Sequence, residues 1–246
     1  MYDPKGNSRE KSMASLRFLE VEPPEPQQSY VHRYLELRTT EPLAEDYCFH
    51  ALPDACTYVV FDQLNPSIAG TTRLRASSEE LNLGKSFHYI NIRFLPGVWQ
   101  RQSSPVSYAL VNTAYSGALP LVETNRVLSA TGFDAGQSVL NEFVDELVKR
   151  ELLVANPVTE KIFAQLEEIN SVARMAEVAG TSARQLQRTL KRTTGFSPHD
   201  FLKILRLQQA LRGDASLSYA DQSHFIHSFK RATGYTPGKY AQKFDV

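Results

Sequence analysis

Residues 190–201 read LKRTTGFSPHDF and residues 229–240 read FKRATGYTPGKY, so one pattern occurs twice at an offset of 39. Both copies contain Lys-Arg, one variable position, Thr-Gly, an aromatic residue, a hydroxyl residue, Pro, and a second aromatic residue three positions later. A repeat at a fixed spacing usually marks one structural unit used twice. The pair therefore predicts two copies of one supersecondary unit in the C-terminal third.

Each copy is typical of a corner between two helices. Basic residues stand in the last turn of the first helix, and a glycine ends it. A Ser-Pro or Thr-Pro pair then begins the next helix, because the hydroxyl can cap it and proline fits its first position.

A further helix precedes the first copy. Apolar residues recur at helical spacing over 172–179, Gly180-Thr181-Ser182 interrupts the pattern, and Leu186 and Leu190 resume it. In a helix-turn-helix the N-terminal half of the second helix enters the major groove of DNA. The outward residues of that helix here are Arg184, Gln185, Gln187, Arg188 and Lys191.

These side chains suit DNA. Arg pairs with guanine, Gln pairs with adenine, and Lys neutralises a phosphate. An ordinary solvated helix face would also be polar, and only the repeat favours base contact. In the second copy the matching helix spans 221–231 and turns Phe225 and Phe229 inward. Its outward residues are Gln222, Ser223, Ile226 and His227. A metal role for His224 and His227 is disfavoured, because no third ligand is near.

Charge divides the chain into two halves. Residues 1–170 hold 15 Lys and Arg against 22 Asp and Glu, whereas residues 171–246 hold 12 against 5. A net charge of −7 is therefore followed by one of +7, although the whole chain is neutral. Chance segregation of surface charge is the alternative, but the basic half coincides with the repeat and so favours a nucleic-acid partner.

Several classes of protein are disfavoured. No apolar run approaches the roughly 18 residues of a membrane span, and no leader is evident, so we expect a cytoplasmic protein. Cys48 and Cys56 are expected to be reduced thiols in the interior. Residues 83–86 imitate the end of a P-loop, but Glu79 replaces its first glycine. We expect no enzyme, cofactor or metal.

The N-terminal two-thirds is predicted to be β-rich. Residues 1–28 are polar and proline-rich, which indicates a loose arm. Strands are predicted at 30–37, 57–61, 87–94 and 108–111, and helices at 137–153 and 159–169. The first of these helices could dimerise the protein or pack on the sheet. The predicted fold class is α+β, with a β-rich regulatory domain over 29–155 and an all-α double helix-turn-helix domain over 156–246.

The C-terminal residues resemble the AraC/XylS family of bacterial regulators. The resemblance covers roughly 160–246 and is carried by 221–225, 229–231 and 233–237, with a similar first unit. It implies two helix-turn-helix units joined by a long helix, here 198–212. The DNA-binding residues that it implies, together with two basic neighbours, are Arg184, Gln187, Arg188, Lys191, Gln222, Ser223, His227 and Lys230.

The second unit departs from the family pattern. No helix precedes Asp221, and the chain is about ten residues short near 217–219 by the logic of the repeat. Either the second unit is degenerate, or residues are missing at this junction. We favour the second explanation, because two apolar faces require the absent helix as cover. Those faces carry Leu207, Leu211, Phe225 and Phe229.

Residues 52–56 and 92–98 resemble the β-rich sensor domain of some AraC-type proteins. That resemblance implies a domain that binds a small effector or associates with itself. Ligand-binding candidates are Tyr58, His88, Arg93 and Trp99, next to Phe61 and Phe94. The alternative is that they are core aromatic residues together with one surface arginine.

We therefore expect a sequence-specific DNA-binding transcription regulator, an activator or a repressor, whose N-terminal domain tunes binding. The alternative is an interaction or antagonist protein that keeps the fold but does not bind DNA. Expected partners are double-stranded DNA, a small-molecule effector, a second copy of the chain and, for an activator, RNA polymerase.

Overall fold

The computed structural model describes residues 2–5, 7–10, 15–72, 74–100, 113–212 and 222–245. The strands in this part of the chain are β1 (Asn7–Glu10), β2 (Leu16–Val21), β3 (Val31–Thr39), β4 (Cys48–Ala51), β5 (Thr57–Asp62), β6 (Ala69–Thr71), β7 (Glu79–Asn82), β8 (His88–Phe94) and β9 (Phe244–Asp245). The helices are α1 (Leu121–Ala135), α2 (Gln137–Lys149), α3 (Pro157–Ala164), α4 (Val172–Val178), α5 (Ala183–Thr193), α6 (Pro198–Leu211), α7 (Gln222–Thr233) and α8 (Pro237–Lys243). A β-rich region followed by helices is confirmed; the predicted strand at 108–111 lies outside the described residues.

An antiparallel five-stranded sheet forms the centre of the N-terminal region, with the strand order β2-β3-β8-β5-β6. Burial alternates along β5, where Val59 and Phe61 are buried and their neighbours are half-buried. These two residues share a core with residues of α1 and α2, and the rings of Phe61 and Phe143 meet edge-on at 5.8 Å. Helix α2 thus packs on the sheet, and dimerisation through it stays a prediction.

The prediction of a loose arm over 1–28 is wrong for the part that is described. Tyr2 is 1% exposed, its ring stacks on Phe163 at 4.5 Å, and its hydroxyl donates to the carbonyl of Asp54 at 2.6 Å. Strand β2 pairs along its length with β3. Residues 1–28 are mostly polar, so their composition did not indicate that the aromatic side chain of Tyr2 is buried between the two domains.

A buried glutamine joins three distant parts of the chain. Gln208 lies in α6 and is 1% exposed. Its side-chain oxygen accepts from the Lys5 amide at 2.7 Å, and its amide nitrogen donates to the carbonyls of Lys5 at 3.1 Å and Pro53 at 2.8 Å. The N-terminal segment, the loop after β4 and helix α6 are therefore held together.

A four-stranded sheet also joins the two ends of the chain, with the order β7-β4-β1-β9. Strand β1 pairs antiparallel with β4 and, through Arg9 and Glu10, with β9. The C-terminal domain is therefore not all-α as predicted, because it contains the short strand β9. That strand lies directly after α8, where the chain leaves the helix with extended geometry at Phe244.

The apolar faces that seemed to require a missing helix are covered by other residues. Leu207, Leu211 and Phe229 are buried in a cluster that Phe225 partly joins. The other buried members of that cluster are Leu52, Tyr240 and Phe244. The argument from uncovered faces is therefore wrong, because a leucine of the N-terminal region supplies part of the cover. The junction itself, at 213–221, lies outside the described residues.

Two further features differ from the predictions. Helix α1 was not predicted, although Leu121 and Leu128 give it a buried face. The prediction that both cysteines lie in the interior is confirmed for Cys56 only. Cys48 is exposed at the start of β4. No helix in the described ranges is long and apolar enough to cross a membrane.

Replacing Tyr2 tests the role of the N-terminal segment. We expect Tyr2→Ala to lower the free energy of unfolding by about 3–5 kcal/mol, because a stacked aromatic side chain leaves a cavity behind. Tyr2→Phe keeps the stack and should cost only about 1 kcal/mol for the lost hydrogen bond. Urea unfolding measures both, and a wild-type value for Tyr2→Ala would mean that the segment is not docked.

Candidate nucleic-acid interface

The first unit has the geometry of a helix-turn-helix. Helix α4 ends at Val178, Gly180 adopts a left-handed φ of 65°, and Ser182 caps α5 by accepting from the Gln185 amide at 3.2 Å. Leu186 and Leu190 turn the apolar side of α5 into the core. The opposite side of α5 is consequently held outward at a fixed angle.

The outward side of α5 is basic and exposed. One shallow surface depression is lined by Arg184, Gln187, Arg188, Lys191 and Arg192. The ion pairs found among the described residues include none of the four cations in this set, which are Arg184, Arg188, Lys191 and Arg192. The Lys191 ammonium donates a hydrogen bond to the carbonyl of Gly195 at 3.1 Å. Four of the predicted DNA-binding residues thus share one face, which can bind an anionic partner.

The repeated pattern forms the same corner twice. Thr194 and Thr233 are fully buried, and each hydroxyl donates to the carbonyl four residues earlier, at 2.7 and 2.9 Å. Each hydroxyl also accepts from the amide two residues later, at 3.3 and 3.2 Å. Between these groups, Gly195 and Gly234 adopt φ values of 75° and 82°, which favour glycine. Local hydrogen bonding therefore explains why the pattern recurs.

The second unit presents α7 in the same way. Phe229 is buried, whereas Ile226, His227 and Lys230 are exposed. The side chains of Gln222 and Ser223, at the start of the helix, lie outside the described residues. Two of the four predicted DNA-binding residues of this unit are therefore found on the outward face.

Aligning the two corners compares the outward faces position by position. Lys191 and Arg192 coincide with Lys230 and Arg231, so the basic end of the helix is the same in both units. One turn earlier the residues differ: Arg184, Gln187 and Arg188 coincide with Ser223, Ile226 and His227. Ile226 is one of the outward residues that the sequence predicts for this helix, but it is not among the predicted DNA-binding residues.

The N-terminal region contacts the C-terminal end of both recognition helices. At the first, Asn156 donates from its side-chain nitrogen to the Gly97 carbonyl and to the Thr193 hydroxyl, both at 3.2 Å. At the second, the Ser78 amide donates to the Ala232 carbonyl at 2.7 Å. Because these contacts lie at the ends of α5 and α7, they leave the outward faces free.

The second contact includes a buried histidine. His50 in β4 stacks on Phe244 at 5.2 Å and meets the ring of Tyr235 edge-on. Burial lowers the pKa of His50, which keeps its ring neutral near pH 7. The hydroxyl of Tyr235 in turn donates to Glu80 in β7 at 3.2 Å.

The structure brings together two of the four predicted ligand-binding residues. The Arg93 guanidinium lies 5.7 Å from the centre of the Tyr58 ring, and both line a cavity of about 30 Å³ between the sheets. His88 instead lies 2.9 Å from Glu36, and Trp99 packs on Phe94 in the core. Ligand binding by these residues stays a prediction.

Arg93 is not the surface arginine of the alternative interpretation. It is 2% exposed, pairs with Glu20 at 2.6 Å and donates to the carbonyl of Pro4 at 2.9 Å. The Tyr58 hydroxyl donates to the buried Asp54 carboxyl, whose pKa is raised by burial. The bonds of Arg93 to Pro4 and Glu20 hold the N-terminal segment against the sheet, so Arg93 has a structural role.

A larger cavity lies at the junction of the two regions. It encloses about 430 Å³, within the range of small-molecule sites. Tyr2, Val31, Leu95 and Phe163 provide apolar walls. Glu22 and Arg33 contribute an ion pair of 3.1 Å. None of the four predicted ligand-binding residues lines it. Its walls come from the N-terminal segment, the connection between β2 and β3, the start of β3, the residue that follows β8, and α3.

Comparisons with known proteins match the C-terminal region. A family model described as a helix-turn-helix domain matches residues 175–243. The HTH-type transcriptional regulator MtrA of Neisseria gonorrhoeae is 28% identical over 95 residues, which are 34% of this chain and 32% of that protein. The chain thus spans about a third of the length of this curated relative.

Solved structures give a looser likeness. A structure of ToxT from Vibrio cholerae has a TM-score of 0.44 at 9% identity and covers 94% of this chain and 98% of that one. A fatty acid-bound ToxT has a TM-score of 0.41 at 10% identity and covers 99% and 98%. Both TM-scores lie below 0.5, which is too low to support an argument about this chain.

Residues 175–243 are a helix-turn-helix domain. The repeated corners and the family match agree with the AraC-type signature in residues 221–237. The recognition made from the sequence is confirmed for this part of the chain.

Removing one corner hydroxyl tests how the units are built. Thr194→Val keeps the shape of the side chain but leaves the Phe196 amide without its buried acceptor, so we expect a loss of about 1–3 kcal/mol in urea unfolding. Thr131→Val, on the exposed side of α1, is the matched control and should change stability by less than about 0.5 kcal/mol. Equal effects of the two substitutions would contradict the structural role of the corner.

Proposed function

We propose that the protein is a sequence-specific, DNA-binding transcription regulator, with α5 and α7 in adjacent major-groove segments. The exposed face of α5 carries this proposal, because four cations that form no ion pair among the described residues stand on one rigid helix. The surplus of basic residues after position 170 adds to the attraction for DNA. The name of MtrA, an HTH-type transcriptional regulator, supports the same role.

Roles follow from the chemistry of the side chains. Arg184 and Arg188 would pair with guanine, Gln187 would pair with adenine, and Lys191 and its counterpart Lys230 would contact phosphates. In the second unit Gln222, Ser223 and His227 stay predicted base contacts. The protein would act by binding rather than by catalysis, in the cytoplasm where chromosomal DNA lies. A homodimer and contact with RNA polymerase stay predictions.

The rival function is an antagonist that keeps the fold without binding DNA. The described outward residues of α5 and α7 contain no acid, whereas an antagonist that imitates DNA would require negative charge. A titration against duplex DNA separates the two functions. Binding that prefers certain sequences and weakens as salt rises supports the regulator. Absence of such binding supports the antagonist.

A small-molecule effector would fit the cavity of about 430 Å³. Its walls come from both regions, so an occupant would act on the contact between them. The apolar lining together with the Glu22 and Arg33 pair favours an amphipathic molecule. We infer that this cavity, rather than the smaller one lined by Tyr58 and Arg93, receives the effector.

Replacing one arginine tests base contact. On the preferred site we expect Arg188→Ala to cost about 1–3 kcal/mol of binding free energy and to relax one base position, because a bidentate pair is lost. Arg126→Ala is the matched control, since Arg126 is also an exposed arginine but lies on α1. Fluorescence anisotropy on the preferred and scrambled duplexes measures both. An equal loss on every duplex would make Arg188 a phosphate contact instead.

Filling the cavity tests the effector site. Anilinonaphthalene sulfonate, an amphipathic probe, should bind the wild-type protein with a rise in fluorescence. Ala164→Trp places a large ring at the cavity and should abolish most of that rise, because Ala164 lines the cavity from an exposed position. Val127→Trp, on the exposed side of α1, should leave it unchanged. If both variants bind the probe as wild type does, the probe sits elsewhere.

A further inference from the structure

An isoleucine stands exposed on the second recognition helix. Ile226 is 38% exposed, and it is one of the few large apolar side chains found at the surface of the described residues. Its exposed neighbours on α7 include His227 and Lys230. None of the hydrophobic clusters among the described residues includes it, in contrast to Phe225 and Phe229.

The repeat identifies the place that Ile226 occupies. Aligned through the two corners, Ile226 coincides with Gln187, which lines the basic depression of the first unit. The buried residues next to them coincide as well, since Leu190 matches Phe229. Ile226 is therefore held at the position where the first unit directs a base-reading glutamine.

The chemistry of the major groove decides what an aliphatic side chain can read there. The C5-methyl group of thymine is the apolar group on the base edges, whereas the other edges present hydrogen-bond donors and acceptors. An isoleucine that covers those polar groups would take them from water without a partner, which is unfavourable. Contact with the thymine methyl buries apolar surface on both sides.

We propose that Ile226 selects thymine at one position of the DNA site by contacting its methyl group. The inference rests on the proposed function and deepens it. The two recognition helices share their basic C-terminal positions, Lys191 with Lys230 and Arg192 with Arg231, but differ at the outward positions before them. The two halves of the DNA site consequently differ, with adenine opposite Gln187 and thymine opposite Ile226.

Removing the methyl group from the DNA tests the contact directly. In the preferred duplex each thymine is replaced in turn by uracil, which lacks only that methyl, and binding is measured by fluorescence anisotropy. We expect wild type to lose about fourfold in affinity at one thymine in the half bound by α7, the effect of one buried methyl group. Ile226→Ala should bind the thymine duplex about fourfold less tightly and show no further loss with uracil at that position.

Two more variants sharpen the test. Ile226→Gln gives the second helix the residue of the first, and we expect its preference at that position to change from thymine to adenine by about tenfold. Leu64→Ala, another exposed apolar residue but in the N-terminal region, should keep the uracil response of wild type. Because Ile226 is exposed and packs in no core cluster, urea unfolding should give all variants the stability of wild type.

The outcomes separate this inference from the proposed function. Sequence-specific binding by wild type that ignores every uracil, or an Ile226→Ala variant that keeps the full uracil response, overturns the thymine contact and leaves the regulator standing. If wild type binds no duplex with sequence preference, the proposed function and the inference built on it both fail.

Discussion

The side-chain amide of Gln208 is the contact on which the arrangement of the chain depends. It satisfies both backbone groups of Lys5 and the carbonyl of Pro53 from within α6, the helix that connects the two helix-turn-helix units. Buried polar groups must keep such partners, so α6 cannot shift without leaving them unpaired. Tyr2 and Arg93 reinforce the same junction from either side. The two regions share their cores, because buried residues of both lie in the same hydrophobic clusters. The predicted boundary between 155 and 156 lies in the connection between helices α2 and α3.

This junction has consequences for both recognition helices. Asn156 ties the end of α5 to the Gly97 carbonyl, and Ser78 ties the end of α7 to the sheet that contains β7. The N-terminal region thus holds the relative positions of the two helices while leaving their outward faces accessible. A molecule in the cavity lined by Tyr2 and Phe163 would press on the same junction. In the proposed regulation an effector acts directly on this junction, because the walls of the cavity belong to the segments that orient the outward faces of α5 and α7.

Local chemistry could be predicted from the sequence, and contacts between distant segments could not. The Thr-Gly corners at 194–195 and 233–234 followed from capping and backbone preferences, and β5 followed from its alternation. Tyr2 was missed because its partner, Phe163, is far away in sequence. The contact of Leu52 with α6 was not predicted either, because the two are also far apart in the sequence. Ile226 is not among the predicted DNA-binding residues, although the repeat alone aligns it with Gln187. The cavity depends on segments that are distant in the sequence and meet only in the folded chain.

The proposed function requires α5 and α7, two dissimilar helices on one rigid chain, to lie in adjacent major-groove segments. Hydroxyl-radical footprinting on the selected duplex measures this arrangement. We expect two protected segments on one face of the DNA, their centres about 10 base pairs apart, because adjacent turns of the major groove repeat at that distance. Protection of a single segment, or of two segments on opposite faces, would contradict it.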